Sequence, residues 1–389
     1  MANVSSSNGL EKYPKLRFKG FSEPWHEIAI GDLFKVTRGY VLPSTAVKEE
    51  PQDGFVFPVF SSQTKNEGLM GYYNEYLYED AITWTTDGAN AGTVHYRDGK
   101  FYCTNVCGVL LNEDGNANRC VAEILGSVSK KYVSYVGNPK LMNNVMSEIR
   151  IHIPSLLEQK KIDSFIASLD HRIAKQRELI EHLKKYKRGV ISKLLSRSLD
   201  FSNSASIDWV SHRVGDFCTV QMCKRIFKEQ TSTEGDVPFY KIGTIGGEPD
   251  AYISREVYEE YRQKYNFPRK GEFLISCAGT VGKCVVYNGE DSYYQDSNIV
   301  WLRNESEFVL NEYLYLLVSN VDWSTLNSTT ITRIYNDNLR DLVFDFPPIE
   351  VQKKISEFCV ALDKRVEGEA YNLSKLLTFK QGLIQGLFA

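Results

Sequence analysis

Two stretches of the chain carry apolar residues at alternating steps of four and three. Between 154 and 197 the stripe is Ile162, Ile166, Leu169, Ile173, Ile180, Leu183, Val190 and Leu194. Between 347 and 389 it is Ile355, Leu362, Val366, Leu373, Leu376, Leu383 and Leu387, with Cys359 in phase. Such heptad spacing predicts a coiled-coil helix. Pro154 and Pro347–Pro348 stand at the helix starts, and neither stretch holds a further proline, which suits a start and not an interior. At about 1.5 Å per residue, roughly 40 residues make a rod about 60 Å long.

The two stretches align without gaps at an offset of 193, so that Gln159, Lys160, Lys161 and Ile162 fall on Gln352, Lys353, Lys354 and Ile355. Both stripes break at the same two places, Gln176/Glu369 and Lys187/Lys380. Polar residues in a seam cost stability but select register and partner. Neither rod can bury its stripe alone, and the simplest solution is an antiparallel coiled coil within the chain. Packing of each stripe on its own globular domain, or homodimerisation through one seam, would also bury it.

A weaker repeat lies outside the rods. Trp25, Gly31 and Asp32 share the spacing of Trp209, Gly215 and Asp216. The approach to each rod alternates apolar and polar residues, at Ile149, Ile151 and Ile153 and at Leu342, Phe344 and Phe346, the period of a strand. Between these borders both halves show short β-type runs broken by Gly and Asn, with little agreement in sequence. The expected fold is mixed α/β. It has a first globe over 1–153, a helix over 154–197, a second globe over 198–346 and a helix over 347–389. Like borders and unlike interiors suit a protein that reads two different things.

Composition narrows the class. An apolar share of 42% and a charged share of 24% are ordinary for a globular chain, and 23 Tyr and 20 Phe favour strands. No apolar run reaches the roughly 18 residues of a membrane helix, and the N-terminus lacks a signal-peptide pattern. Eight Cys without metal spacing predict free thiols in a reducing cytoplasm. The net charge of −3 argues against a free-standing nucleic-acid binder, but it is unevenly spread. The first rod carries eleven Lys/Arg against five Asp/Glu and the second six against five, so the rest of the chain holds an excess of ten acids.

Catalytic chemistry finds no support. The chain has no phosphate-binding G-x-x-x-x-G-K-[ST] loop, no G-x-G-x-x-G after a strand and no Asn/Asp-Pro-Pro-aromatic tetrapeptide. His171 and His182 lie three turns apart on one helix, too far for a shared metal. No metal or cofactor site is expected. Polar loops flanked by aromatic and basic residues remain. In the first globe they offer Ser62, Gln63, Lys65, Asn66, Thr86 and Asn90. In the second they offer Lys224, Arg225, Lys241, Arg262, Lys264, Thr330 and Arg333. Asn and Gln can pair with adenine, Arg and Lys with guanine, and hydroxyls with phosphates or bases, so these are the candidate DNA contacts.

The segments "IPSLLEQKKIDSFIASLDHRI" and "FPPIEVQKKISEFCVALDKRV" each close a globe that opens on Trp-x5-Gly-Asp. Together they resemble the specificity (S) subunit of bacterial type I restriction–modification enzymes, over nearly the whole chain. The resemblance implies two target recognition domains, each reading one half of a bipartite, asymmetric DNA sequence. It implies a helix pair that measures the spacer and docks methyltransferase (M) and restriction (R) subunits. Those partners would supply S-adenosylmethionine, ATP and Mg, leaving this chain non-catalytic and in the bacterial cytoplasm. A type II-like system with fused cleavage and methylation, or a coiled-coil scaffold that binds proteins, are the competing expectations.

Overall fold

The computed structural model describes residues 11–62, 65–197, 208–326 and 333–388. The chain divides into two compact units. One is formed by the chain up to Ile180 together with the segment from Glu369 onward, the other by Glu181–Gly368. Two uninterrupted 40-residue helices, α4 (Leu156–Leu195) and α8 (Ile349–Phe388), contribute to both, starting two residues inside the predicted limits of 154 and 347.

In the first unit β1 (Glu11–Lys12), β2 (Trp25–Ala29) and β9 (Arg150–Ile153) form a small antiparallel sheet. The pairing of Ile28 with Ile151 joins the Trp-x5-Gly-Asp start to the strand that leads into α4. α1 (Ile30–Leu33) and α3 (Asn143–Glu148) flank this ribbon. The larger sheet contains β3 (Lys35–Arg38), β4 (Phe57–Phe60), β5 (Leu69–Tyr73), β6 (Tyr78–Thr85), β7 (Val94–Cys103) and β8 (Cys107–Leu111). Their order is β3-β8-β6-β7-β4-β5, antiparallel throughout except where β4 runs parallel to β7. α2 (Arg119–Ser129) buries Val121, Ile124 and Leu125 in a core with Trp84, Ile82 and Leu110. Ile162 and Ile166 from the start of α4 and Leu387 and Phe388 from the end of α8 enter that same core.

The second unit repeats this plan with interruptions. β10 (Val210–Arg213) pairs antiparallel with β18 (Val343–Phe346), His212 opposite Phe344. One sheet holds β11 (Cys218–Gln221), β17 (Ile299–Asn304), β14 (Phe273–Ser276) and β15 (Cys284–Val286) in that order. A second holds β13 (Tyr252–Ile253), β12 (Val237–Tyr240) and β16 (Tyr293–Tyr294). Here β12 runs parallel to β16, as β4 does to β7. The counterpart of the long β7 is thus split into β15 and β16, so the sheet divides. α5 (Arg255–Lys264), which has no counterpart in the first unit, follows β13. α6 (Asn311–Ser319) takes the place of α2 and α7 (Asn336–Arg340) that of α3. Ile191 and Leu194 of α4 and Ile355 and Cys359 of α8 pack into its core.

The repeated glycine has a steric reason. A side chain at Gly31 would come within 3.1 Å of the Ser147 carbonyl oxygen in α3, and one at Gly215 within 3.0 Å of the Arg340 side chain in α7. Each glycine lets the short element after the signature lie directly on the helix before the strand that leads into the rod.

Candidate nucleic-acid interface and helical seam

The seam is visible as burial. On α4, Ile162, Ile166, Ile173, Ile180 and Leu194 are buried, and Leu169, Leu183 and Val190 half-buried. On α8, Ile355 and Leu387 are buried, and Leu362, Val366, Leu373, Leu376 and Leu383 half-buried. Within each unit the helices run antiparallel. In the first, Asp170 meets Lys380 at 2.7 Å while Gln176, further along α4, meets Glu369, earlier on α8. In the second, Lys187 pairs with Asp363, and Ile191 and Leu194 lie with Cys359 and Ile355. The stripe therefore packs on the other helix and, at the helix ends, on the adjoining globe as well.

The polar breaks complete these contacts. Gln176 Nε2 donates to Glu369 Oε2 at 2.7 Å and to the Glu369 carbonyl at 3.0 Å. Lys187 and Lys380, at equivalent places, each take the Asp of the opposite helix, Asp363 and Asp170, which are themselves equivalent. Lys380 also reaches Glu123 of α2 at 3.6 Å. Burial raises the pKa of that carboxyl against the lowering effect of Lys380.

The glutamine of the repeated Pro-x4-Gln start joins rod to globe, a role its spacing alone does not reveal. Gln159, 1% exposed, donates to the Pro154 carbonyl and Asn116 Oδ1, each at 3.0 Å, and accepts from Asn118 Nδ2 at 2.8 Å. Asn118 caps α2, its side chain accepting from Val121 N–H. Gln352, fully buried, donates to the carbonyls of Pro347 and Phe308 and accepts from the N–H of Leu310, the residue before α6. Beside Gln159, buried Glu158 takes Arg17 in a two-pronged pair at 2.8 Å.

The loops of the first unit converge around β6 and β7. Asn90 Nδ2 donates to the Ser62 carbonyl at 3.1 Å, tying the two predicted loops together. Gln63 lies outside the described residues. Lys65 opens a turn in which exposed Asn66 and Glu67 adopt φ of 49° and 54°, a conformation that asparagine tolerates better than most residues. Arg97, overlooked in the sequence, supports that turn from below. It donates to the Glu67 carbonyl at 2.8 Å and Thr83 Oγ1 at 3.0 Å and stacks on Phe60 at 3.7 Å, and burial lowers its pKa to about 10. Neighbouring His95 is held down at about 4, chiefly by burial and then by Arg97. Both line a cavity of about 240 Å³ whose rim includes Asn90 and Glu67. Thr86 is fully buried, its hydroxyl donates to Asp87, and its backbone is stitched to Val106 and Leu141.

The second unit brings some of its candidates together and leaves others apart on its surface. Gln295–Asn298 is a hub that the sequence did not single out. Arg225 pairs with Asp296 at 2.8 Å, Arg333 donates to the Ser297 carbonyl, and Gln295 bonds the backbone of Ile242 next to Lys241. Lys224 lies over Tyr265, and with Arg225 and Asn266 it lines an open cavity of about 340 Å³. Lys241 pairs with Asp250, Arg262 with Asp291 and Lys264 with Glu260, all three pairs at the surface. Thr330 lies outside the described residues.

The family model for the type I restriction modification DNA specificity domain matches residues 22–185 and again 206–378, one copy for each globe and helix. The chain belongs to the family of type I restriction–modification specificity subunits. A relative in Haemophilus influenzae, the "putative type I restriction enzyme specificity subunit S.HindORF215P", is 35% identical over 303 residues, 74% of this chain and 76% of its own length. In Mycoplasma pneumoniae the "putative type I specificity subunit S.MpnORF289P N-terminus" is 39% identical over 140 residues, 35% of this chain and 73% of its own length. The S subunit of a type I restriction–modification system from M. genitalium has the same fold, with a TM-score of 0.62 at 17% identity over 97% of this chain and 99% of that one. So does a chain from a study of complex assembly and conformational transition in a type I R-M system, at 0.57 and 16% over 94% and 97%.

Specificity subunits are the non-catalytic chains of their systems. Burial pushes the thiols of Cys107, Cys277 and Cys359 up to about 11 and those of Cys218, Cys223 and Cys284 to about 12, which keeps them protonated at neutral pH. Among the described residues no group of three or more His, Cys, Asp or Glu is placed to hold a metal, and no helix is long and apolar enough to cross a membrane.

Proposed function

We propose that this specificity subunit reads a bipartite, asymmetric double-stranded DNA sequence, one half-site per globe. One observation carries the reading. The two units share borders, a buried glutamine anchor and a helical seam, yet differ in sheet division and loops. A shared scaffold with two different loop sets suits recognition of two different short sequences. On this reading Ser62, Asn66 and Asn90 face DNA in the first unit, and Lys224, Arg225 and Arg333 in the second. Asn supplies a donor and an acceptor to a base edge, and the cations meet guanine or phosphate. The length of α4 and α8 sets the unspecified spacer. The helices also dock methyltransferase subunits that bind S-adenosylmethionine, with restriction subunits supplying ATP- and Mg-dependent steps. The excess of acids outside the rods suits a chain whose partners provide part of the basic surface around DNA.

Methylome sequencing of a bacterial host with and without this gene tests the proposal. Loss of methylation at one split motif with two unlike halves is expected. Loss of a contiguous motif, or no change alongside an intact methyltransferase gene, would overturn it.

A further inference from the structure

In the first unit, from the second half of α2 into α3, the chain runs for 24 residues, 124–147, without an Asp or Glu and with Lys130, Lys131 and Lys140. This is unusual in a protein whose remainder outside the rods is acidic. The part between the two helices folds as a finger. Ser134 and Lys140 exchange two backbone hydrogen bonds, of 2.8 and 2.9 Å, and close its neck. Val133 and Leu141 are buried at its base. Leu141 N–H donates to the Thr86 carbonyl, Trp84 Nε1 to the Leu141 carbonyl and Gly88 N–H to the Pro139 carbonyl. The finger is therefore riveted to the loop that holds Thr86 and Asn90. Asp87, the carboxylate beside it, is occupied by the Thr86 hydroxyl and by Lys140 at 3.7 Å.

The tip is apolar and projects into solvent. Tyr135 is 71% exposed and Val136 93%, and Gly137, at φ +78°, makes the reversal. Lys130 and Lys131 are exposed at its foot, with Tyr132 beside them. A tightly anchored projection with an apolar tip and a cationic foot matches a DNA groove in chemistry. Lysines at the foot meet phosphates, and an aromatic and a branched aliphatic side chain at the tip contact a thymine methyl or wedge into a base step.

We propose that the Ser134–Lys140 finger enters a groove of duplex DNA and that Tyr135 and Val136 determine part of the half-site read by the first unit. The proposal rests on the DNA-reading function above, with the buried Thr86 loop as the mount of the reader.

The test uses the full chain assembled with its methyltransferase subunits and measures binding to cognate and scrambled duplexes across salt concentrations. The double variant Tyr135→Ser/Val136→Ser should lose on the order of tenfold in cognate binding. It should relax sequence preference in one half-site only, with non-specific binding and salt slope unchanged. Lys130→Gln/Lys131→Gln should weaken all duplexes and flatten the salt slope by up to about two, since each phosphate contact contributes about 0.9. Wild-type binding and specificity in the tip variant would overturn the finger while leaving the DNA-reading function standing. Loss of methyltransferase assembly in that variant would also overturn it and make the finger a protein contact. A wild-type complex without salt-sensitive DNA binding would sink the underlying function instead.

Discussion

Gln176 and Glu369 occupy the same position of the internal repeat and hydrogen-bond to each other, Nε2 to Oε2 at 2.7 Å. A position that meets its own counterpart would, in a perfect duplication, pair two identical residues. Two glutamates there would bring like charges together in a seam where Glu369 is only 8% exposed. The Gln/Glu difference removes that repulsion and supplies a donor, so it discriminates the pairing of unlike helices from that of two copies of α8.

Charge swaps test this. Gln176→Glu should destabilise the protein by roughly 1–3 kcal/mol, because Glu369 loses the Gln176 donor, though not Asn372, and gains a like charge. Glu369→Gln should cost less, since two amides can still bond. The double swap Gln176→Glu/Glu369→Gln should recover most of the loss. Thermal unfolding of the four proteins reads the cycle, and additive single effects would contradict a direct pair.

The glutamine anchors should be intolerant of even small change. Gln159→Ala and Gln352→Ala each remove three hydrogen bonds made by a buried amide, and each should cost roughly 2–4 kcal/mol. Gln352→Glu tests the geometry more sharply. A carboxylate only accepts, so the carbonyls of Phe308 and Pro347 would face it without a donor. That variant should be less stable than Gln352→Ala at pH 7 and regain stability as the carboxyl protonates in acid. Urea unfolding at pH 7 and pH 5 distinguishes the two.

His95 gives the first unit a pH dependence with a definite sign. Its folded pKa of about 4 lies below the ordinary value of 6.5, so the unfolded chain binds the proton first. Stability is fully present above about pH 6.5 and is lost as pH falls toward 4, by up to about 3 kcal/mol. His95→Gln should flatten the melting temperature between pH 6.5 and 4.5. An unchanged profile would remove His95 from the account.

Lengthening both rods should alter spacing without altering reading. Roughly seven residues, two helical turns in heptad phase, inserted after Ile180 in α4 and at the facing position of α8 should preserve the Lys187–Asp363 and Asp170–Lys380 pairs. Methylation mapping should then show the same two half-sites separated by a longer spacer. A changed half-site would contradict the division of labour between loops and rods.

Much of this protein could be read before any coordinates. The heptad stripes, their shared breaks, the prolines at the helix starts and the alternating border strands are local patterns. A helix or strand must turn one face inward, and that face repeats with the element's own period. The stripe positions predicted on α4 and α8 are accordingly all buried or half-buried. The candidate readers were less legible, because exposure and availability depend on residues distant along the chain. Thr86 is buried, its backbone bonded to Val106 and Leu141. Lys241 and Arg262 are engaged by Asp250 and Asp291, whereas Arg97, inconspicuous inside a strand, turns out to support the Asn66 turn.

The sequence by itself determined the two rods, their phase, the duplication and, through the repeated Pro-x4-Gln start, the family. Periodicity and spacing encode these along the chain. The tertiary structure decided what each polar exception is for: Gln176 meets its own counterpart, Gln159 and Gln352 reach the starts of α2 and α6, and a finger with no distinctive motif is riveted to a buried loop. Those outcomes depend on which distant hydrogen-bonding groups folding places within about 3 Å, and linear spacing holds no record of that.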